Sequence, residues 1–203
     1  MPTTLFLRDL ASTLGGAGQK AMLARRGRTA VTTTTTTTAS GTNITITATA
    51  GGTALSWFSE PLTNAVTISG TITLNIRCRE SANTVNAGIA LLIERANNAG
   101  TVQSTVSARA VIGAEAGTTE SARNGTRTPT STAFSAGERI KVTLSVINVG
   151  TMAAGTFNTY HDGPAAAGSG DSYVTFNEDF VTDEIWDVSP FQQIANGFGG
   201  YYG

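Results

Sequence analysis

His161 is the single histidine of the chain and stands in Tyr160-His161-Asp162-Gly163. Acyl transfer by a serine needs a base held against the nucleophile. Any Ser–His–Asp machinery here would have to recruit this one imidazole from a turn. No Gly-x-Ser-x-Gly elbow accompanies it, so a turn or surface histidine is expected. Carboxylates are the next candidates. Glycoside cleavage needs two acids facing each other across a groove. Glu178, Asp179, Asp183 and Glu184 cluster beyond the last expected strand and read as a solvated acidic face. Calcium loops gather several oxygen ligands. Asp162 and Asp171 flank one loop, yet no Asp-x-Asp-x-Asp pattern occurs, and no metal or other cofactor is expected. Gly15-Gly16-Ala17-Gly18 has neither a preceding strand nor a Gly-Lys-Ser/Thr ending, which argues against nucleotide phosphates. Cys78 alternates with Leu74 and Ile76, so its thiol is expected in the core. As the only cysteine, it can form no intrachain disulfide.

Charge narrows the classes further. Charged residues make up 13% of the 203 positions, roughly half the usual share of about 25%. Polarity comes from Thr, Ser, Asn and Gly instead. Such a surface steers ligands weakly and suits close contact with neighbouring copies. The formal net charge of −1 argues against nucleic-acid binding. Arg25-Arg26-Gly27-Arg28 has no aromatic beside it, and a subunit contact explains it as well as a nucleic acid does. Basic residues gather within 1–30, and residues 171–203 carry six acids and no base. Opposite ends can guide head-to-tail contacts, or can be two solvated tails. No apolar run approaches the roughly 18 residues of a membrane span, and the N-terminal residues lack the apolar run and cleavage site expected of a signal peptide. The sequons at Asn43 and Asn124 read as chance matches.

The elements that would position these residues are mostly strands. Residues 3–26 are the exception. Thr3 or Thr4 is expected to cap a short helix through Leu5, Leu7, Leu10 and Leu14, and Gln19 to Arg26 could add a turn or two. This glycine-broken segment is too short to fold by itself and reads as an arm that orders on a neighbour. Thr32 to Thr38 are seven consecutive threonines. β-Branching favours extended chain, which leaves a solvated linker or a strand whose register a partner sets. From Thr42 the apolar period becomes two. Strands are expected over 43–48, 54–58, 66–76 (with a bulge or close approach at Gly70), 87–95, 102–112, 139–149, 157–160 and 172–176. Asn97-Asn98-Ala99-Gly100 is a hairpin signal. Ser135–Glu138 is a turn, and 114–130 a loop. The expected architecture is an all-β antiparallel sandwich, jelly-roll in type, over 41–180. Residues 1–40 and 181–203 form its arms. The second arm carries Trp186, Phe191, Phe198, Tyr201 and Tyr202 among glycines. Large aromatics on such a segment suit an interface.

Several stretches together carry a likeness. They are Leu5-Phe6-Leu7-Arg8, Gly15 to Lys20, Thr42-Asn43-Ile44, Gly52 to Phe58, Val66 to Gly70, Ala136 to Ile140 and Asp171 to Phe176. In these the chain resembles virion structural proteins of tailed phages, of the minor tail or capsid-decoration kind, over about residues 4–180. The resemblance implies a place on the outside of a head, neck or tail, in a virion assembled in the host cytoplasm. It brings no catalytic residue. The expectation is a non-enzymatic homo-oligomer that meets copies of itself and other virion proteins, not nucleic acid or membrane. The candidate interface is Arg25, Arg26, Arg28, Trp186, Phe191, Phe198, Tyr201 and Tyr202. The alternative is a carbohydrate-binding module or an adhesin for a host-surface glycan, with Trp57, Tyr160 and Tyr173 as candidate platforms. Trp57, between Leu55 and Phe58, fits a core position better.

Overall fold

Threonine, valine and isoleucine dominate the alternating segments, and β-branched side chains fit a pleated surface better than a helix. The computed structural model describes residues 1–14, 18–25, 31–37, 45–47, 49–50, 53–161 and 172–183. Among them the chain forms strands and no helix. In order these are β1 (Thr3–Ala11), β2 (Gln19–Leu23), β3 (Val31–Thr37), β4 (Thr45–Thr47), β5 (Thr49–Ala50), β6 (Thr53–Ala54), β7 (Ser56–Ser59) and β8 (Val66–Ile68). They continue with β9 (Ile72–Glu80), β10 (Ala87–Ala96), β11 (Val102–Ile112), β12 (Ser121–Arg127), β13 (Thr132–Phe134), β14 (Arg139–Asn148), β15 (Gly155–His161) and β16 (Tyr173–Phe176).

Twelve strands share one hydrogen-bonded sheet, in the order β11-β10-β14-β7-β2-β1-β16-β9-β15-β3. β12 joins β9, β4 joins β14, and β8–β13 and β5–β6 form separate pairs. The sheet folds back on itself, because a single core takes side chains from both of its halves. Ile89, Leu91, Ile140, Val142, Leu144 and Trp57 come from one half, and Leu74, Ile76, Cys78, Phe157, Val174 and Phe176 from the other. The all-β class and the sandwich layering follow the expectation. Where a jelly roll has two sheets, here one path runs between the layers through β7, β2, β1 and β16. Not every pair is antiparallel, since β2 and β7 run parallel with Lys20 opposite Trp57.

The N-terminal segment departs most from expectation. Residues 3–11 form a strand in place of the expected short helix, with β2 on one edge and β16 on the other. Leu5 and Leu7 are two apart, the period of a strand, and both are sealed in the core. Phe6 and Arg8, on the opposite face, are buried too. A strand covered on both faces shows no clean alternation, which hides it from a periodicity reading. Within 1–40 the described strands β1, β2 and β3 are therefore members of the sheet and not an arm outside it.

Three further differences have local causes. The segment 66–76 is broken into β8 and β9 around Gly70, where the expected close approach is found, since a Cβ there would sit 2.8 Å from Asn177 Cβ. The expected loop 114–130 contains β12, which pairs with β9 from Ser121↔Cys78 to Arg127↔Ile72. The short strand β13 was also missed. The Asn97–Gly100 hairpin stands as expected, with Gly100 at φ 82° accepting the left-handed conformation that glycine adopts without strain.

Candidate functional site

The sequence offered scattered candidates, and the structure builds most of the described ones into ties between strands. His161 ends β15 and is 2% exposed, not a turn or surface residue. Its ring meets Trp57 edge-on, with centroids 5.5 Å apart. Its Nε2 lies 3.6 Å from Asp9 Oδ1, which also accepts a 2.7 Å hydrogen bond from Lys20 Nζ. Burial pushes the Asp9 carboxyl up, but Lys20 and then His161 outweigh it and hold it below the ordinary 3.8. Trp57 Nε1 donates to the Arg8 carbonyl at 3.0 Å. The cluster thus joins β1, β2, β7 and β15. An imidazole beside an aspartate has the pairing of an acid–base dyad, yet a base must reach the proton it removes, and this ring is enclosed.

Paired carboxylates do exist, at a place the sequence did not suggest. Glu80, the last residue of β9, is 2% exposed, and its Oε2 accepts from the Ala87 amide at 3.2 Å. Burial raises its pKa above the ordinary 4.5. The Ala87 bond opposes the shift and the neighbouring Glu115 carboxyl adds to it. The available signal was parity, since Glu80 continues the inward row Ile72, Leu74, Ile76, Cys78. Among the described residues no group of three or more His, Cys, Asp and Glu is placed to hold a metal ion.

In the acidic cluster after β16, Asp179 and Asp183 are exposed as expected, and Glu178 is half-buried. Glu178 Oε1 accepts from the Ser69 amide at 2.8 Å and from the Gly70 amide, bridging the break between β8 and β9. Asp179 pairs with the N-terminal amine at 3.0 Å. Both contacts follow from β16 lying beside β1 and β9. Sequence reasoning also missed Glu60 and Arg139, a buried ion pair at 3.2 Å. Thr13 Oγ1 donates to Glu60 at 2.8 Å, and Arg139 also donates to the carbonyls of Ser59 and Asn98. Cys78 is buried as expected, and burial pushes its thiol up to about 12, so it stays protonated.

Of the candidate interface, Arg25 is half-buried, and its carbonyl accepts from Arg8 Nη1 at 3.2 Å. Arg26, Arg28, Trp186, Phe191, Phe198, Tyr201 and Tyr202 lie outside the described residues, as do Asp162, Asp171 and Glu184. A groove of ≈ 470 Å³, lined by Thr3, Ala24, Thr63, Phe180, Val181 and Thr182 among others, opens where the described chain ends. Of the sugar-platform candidates, Trp57 is 1% exposed and belongs to the core. Tyr173 lies edge-on to Phe6 at 5.6 Å. Residues 32–37 of the threonine run lie in the strand β3. It pairs with β15 of the same chain from Val31↔His161 to Thr37↔Gly155, so its register is set internally. Thr33, Thr35 and Thr37 point inward, and Thr32, Thr34 and Thr36 are exposed.

No family model and no curated protein sequence matches the chain. Solved structures do share the fold. A CocE/NonD family hydrolase from Staphylococcus aureus superposes with a TM-score of 0.55 at 10% identity, over 90% of this chain and 36% of the hydrolase. An aminopeptidase from a marine sediment Thaumarchaeota archaeon gives 0.56 at 11% identity, over 87% of this chain and 36% of its own. This chain spans little more than a third of either protein, and the likeness is one of fold. The VP2 subviral particle of infectious bursal disease virus reaches 0.28 at 9% identity, over 73% of this chain and 35% of that one, too slight to bear on the fold.

Proposed function

We propose that this chain is a non-enzymatic structural subunit of a phage-like virion, set on the outside of the head, neck or tail as a decoration or minor tail protein. The observation that carries the reading is where the chemistry-bearing residues have gone. His161, Glu60, Arg139 and Cys78 are enclosed in the sandwich, and Glu178 bridges a strand break. They hold strands together, and a hydroxyl-rich face with few charges is left outside. Such a face fits repeated close packing, where like charges on neighbouring copies would repel. The resemblance of residues 4–180 to tailed-phage structural proteins points the same way.

In this reading the first forty residues are not the attachment device, since three strands of the sheet lie there. Attachment falls to the aromatic, glycine-rich residues 184–203 and to exposed sheet edges, and the partners are copies of the chain and other virion proteins. The test is particle composition. Virions purified on a density gradient from a host producing this chain should contain it in fixed proportion to their major head or tail protein. Particles complete in every other component but lacking the chain would overturn the reading.

A further inference from the structure

We propose that the outer face of β9 and its neighbours is a carbohydrate-binding surface, on which Tyr160 and Tyr173 carry two adjacent sugar rings of an uncharged oligosaccharide chain. Parity puts the two tyrosines on one side of the sheet. Val174 and Phe176 of β16 point into the core, as do Phe157 of β15 and Leu74, Ile76 and Cys78 of β9. Tyr173, Tyr160, Asn75 and Arg77 therefore face outward, and each is partly exposed. β12 takes one edge of β9. β16 and β15 follow one another along the other, with Tyr173 opposite Asn75 and Tyr160 opposite Arg77. The two tyrosines are thus a two-residue step apart along β9, about 7 Å at a strand's rise per residue.

The registers continue on both sides into two rows across the sheet. One row runs Asn124, Asn75, Tyr173, Phe6, and the other Ala122, Arg77, Tyr160, Thr32. Asn75 Nδ2 donates to Asn124 Oδ1 at 2.7 Å, and Arg77 Nε donates to Glu120 Oε1 at 2.7 Å. Phe6 braces the Tyr173 ring edge-on. Ser172 ties the strand ends together, accepting from the Arg77 amide at 3.0 Å and donating to the Tyr160 carbonyl. Groups fixed before a ligand arrives lose little freedom when it binds.

The chemistry of the rows selects the occupant. A pyranose ring has an apolar C–H face and a rim of hydroxyls that donate and accept. The apolar face suits a tyrosine, whose body is hydrophobic and whose tip is polar. The rim suits side-chain amides, which offer donors and an acceptor together. Arg77 is the one charged residue of the two rows, and Glu120 neutralises it, so charge complementarity favours an uncharged ligand. A nucleic acid would need cations for its phosphates. A protein interface has an apolar centre, whereas Phe6, the most apolar member of the rows, is already covered.

The inference deepens the proposed function, resting on it in that a protein on the outside of a particle meets the polysaccharide of a host surface. Its test is separate. The full-length chain on a microarray of bacterial-surface oligosaccharides should bind uncharged members, and titration calorimetry then gives their affinities. Tyr160→Ala and Tyr173→Ala should each weaken binding about tenfold or more, as truncation of a central aromatic contact does. Tyr160→Phe should keep most of the affinity, because the ring remains. Asn124 is exposed at the end of its row, so Asn124→Ala keeps the fold and should still weaken binding. Val111→Ala, exposed on β11 in the opposite layer, should change nothing. Thermal unfolding of each variant separates a lost contact from a lost fold. Binding of no sugar, or binding that survives both tyrosine truncations, overturns the inference. Virions that contain a chain binding no sugar would remove this surface and leave the virion reading. Sugar binding by a chain missing from virions would do the reverse.

Discussion

Glu60 and Arg139 face each other at 3.2 Å with both side chains almost sealed from solvent. The pair fastens the end of β7 to the start of β14, and Thr13, just after β1, completes the shell around Glu60. Removing one partner strands the other charge in a low dielectric, which typically costs about 3–5 kcal/mol. Glu60→Ala and Arg139→Ala are each expected to lose that much in urea unfolding. Replacing both with apolar residues of similar volume should cost far less than the sum. Additive losses would show that the charges do not act as a pair.

Glu80 should make stability fall as pH rises. Burial raises its carboxyl above 4.5, so the folded chain holds a proton that the unfolded chain has released. Stability is then greatest below about pH 4.5, declines through the raised folded value, and is level beyond it. Glu80→Gln keeps the Ala87 contact without the charge. It should match the wild type in Tm near pH 4 and exceed it at pH 8. A gain that does not grow with pH would refute this account.

Asp9 works in the opposite direction. Its folded pKa lies below 3.8, so its contribution is present above that value and is lost as pH falls through the folded pKa. Asp9→Asn should lower Tm at pH 7, and the difference should close as the pH falls below 3.8 and through the lowered folded value. The same curve in high salt should show a smaller gap, since Lys20 and Asp9 are both partly exposed.

Cys78 should be inert while the chain is folded. With its thiol pushed up to about 12, a negligible fraction is thiolate at pH 8. An aromatic disulfide reagent is expected to titrate no thiol in buffer and one per chain in concentrated guanidinium. Rapid labelling of the folded chain would contradict the burial.

A chain starting at residue 31 should fail to fold. It lacks β1 and β2, and with them Leu5, Leu7, Met22 and Leu23, each sealed in the core, and it leaves β7 paired only with β14 and β16 only with β9, so the sheet path is cut between them. A chain ending at Asp183 retains every described strand and should unfold cooperatively. Circular dichroism melts of the two truncations separate these outcomes.

Much of the sandwich was legible locally. Ile72, Leu74, Ile76 and Cys78 alternate with polar residues on β9, whose opposite face is left polar. Asn97–Gly100 and Ser135–Glu138 carry turn chemistry that works within four residues. Trp57 was placed in the core by its neighbours Leu55 and Phe58. Illegible were the elements buried on both faces and the ties between distant strands. In β1 the run Leu5-Phe6-Leu7-Arg8 is covered on either side, so no period marks it. Glu115 reaches Glu80 only because β11 returns beside β10 and β12 then joins β9. Sequence separation carries no trace of that.

The sequence by itself determined the all-β class, the inward row of most strands, the buried thiol and the scarcity of charge, because each depends on side-chain type and on the two-residue period of an extended chain. Tertiary structure alone decided that β1 and β2 lie inside the sheet, that β15 partners the threonine run, that His161 is enclosed by Trp57 and Asp9, and that Glu60 meets Arg139. Those outcomes depend on which strands become neighbours. That choice is made by burying both faces of the folded-over sheet together, and no local pattern contains it.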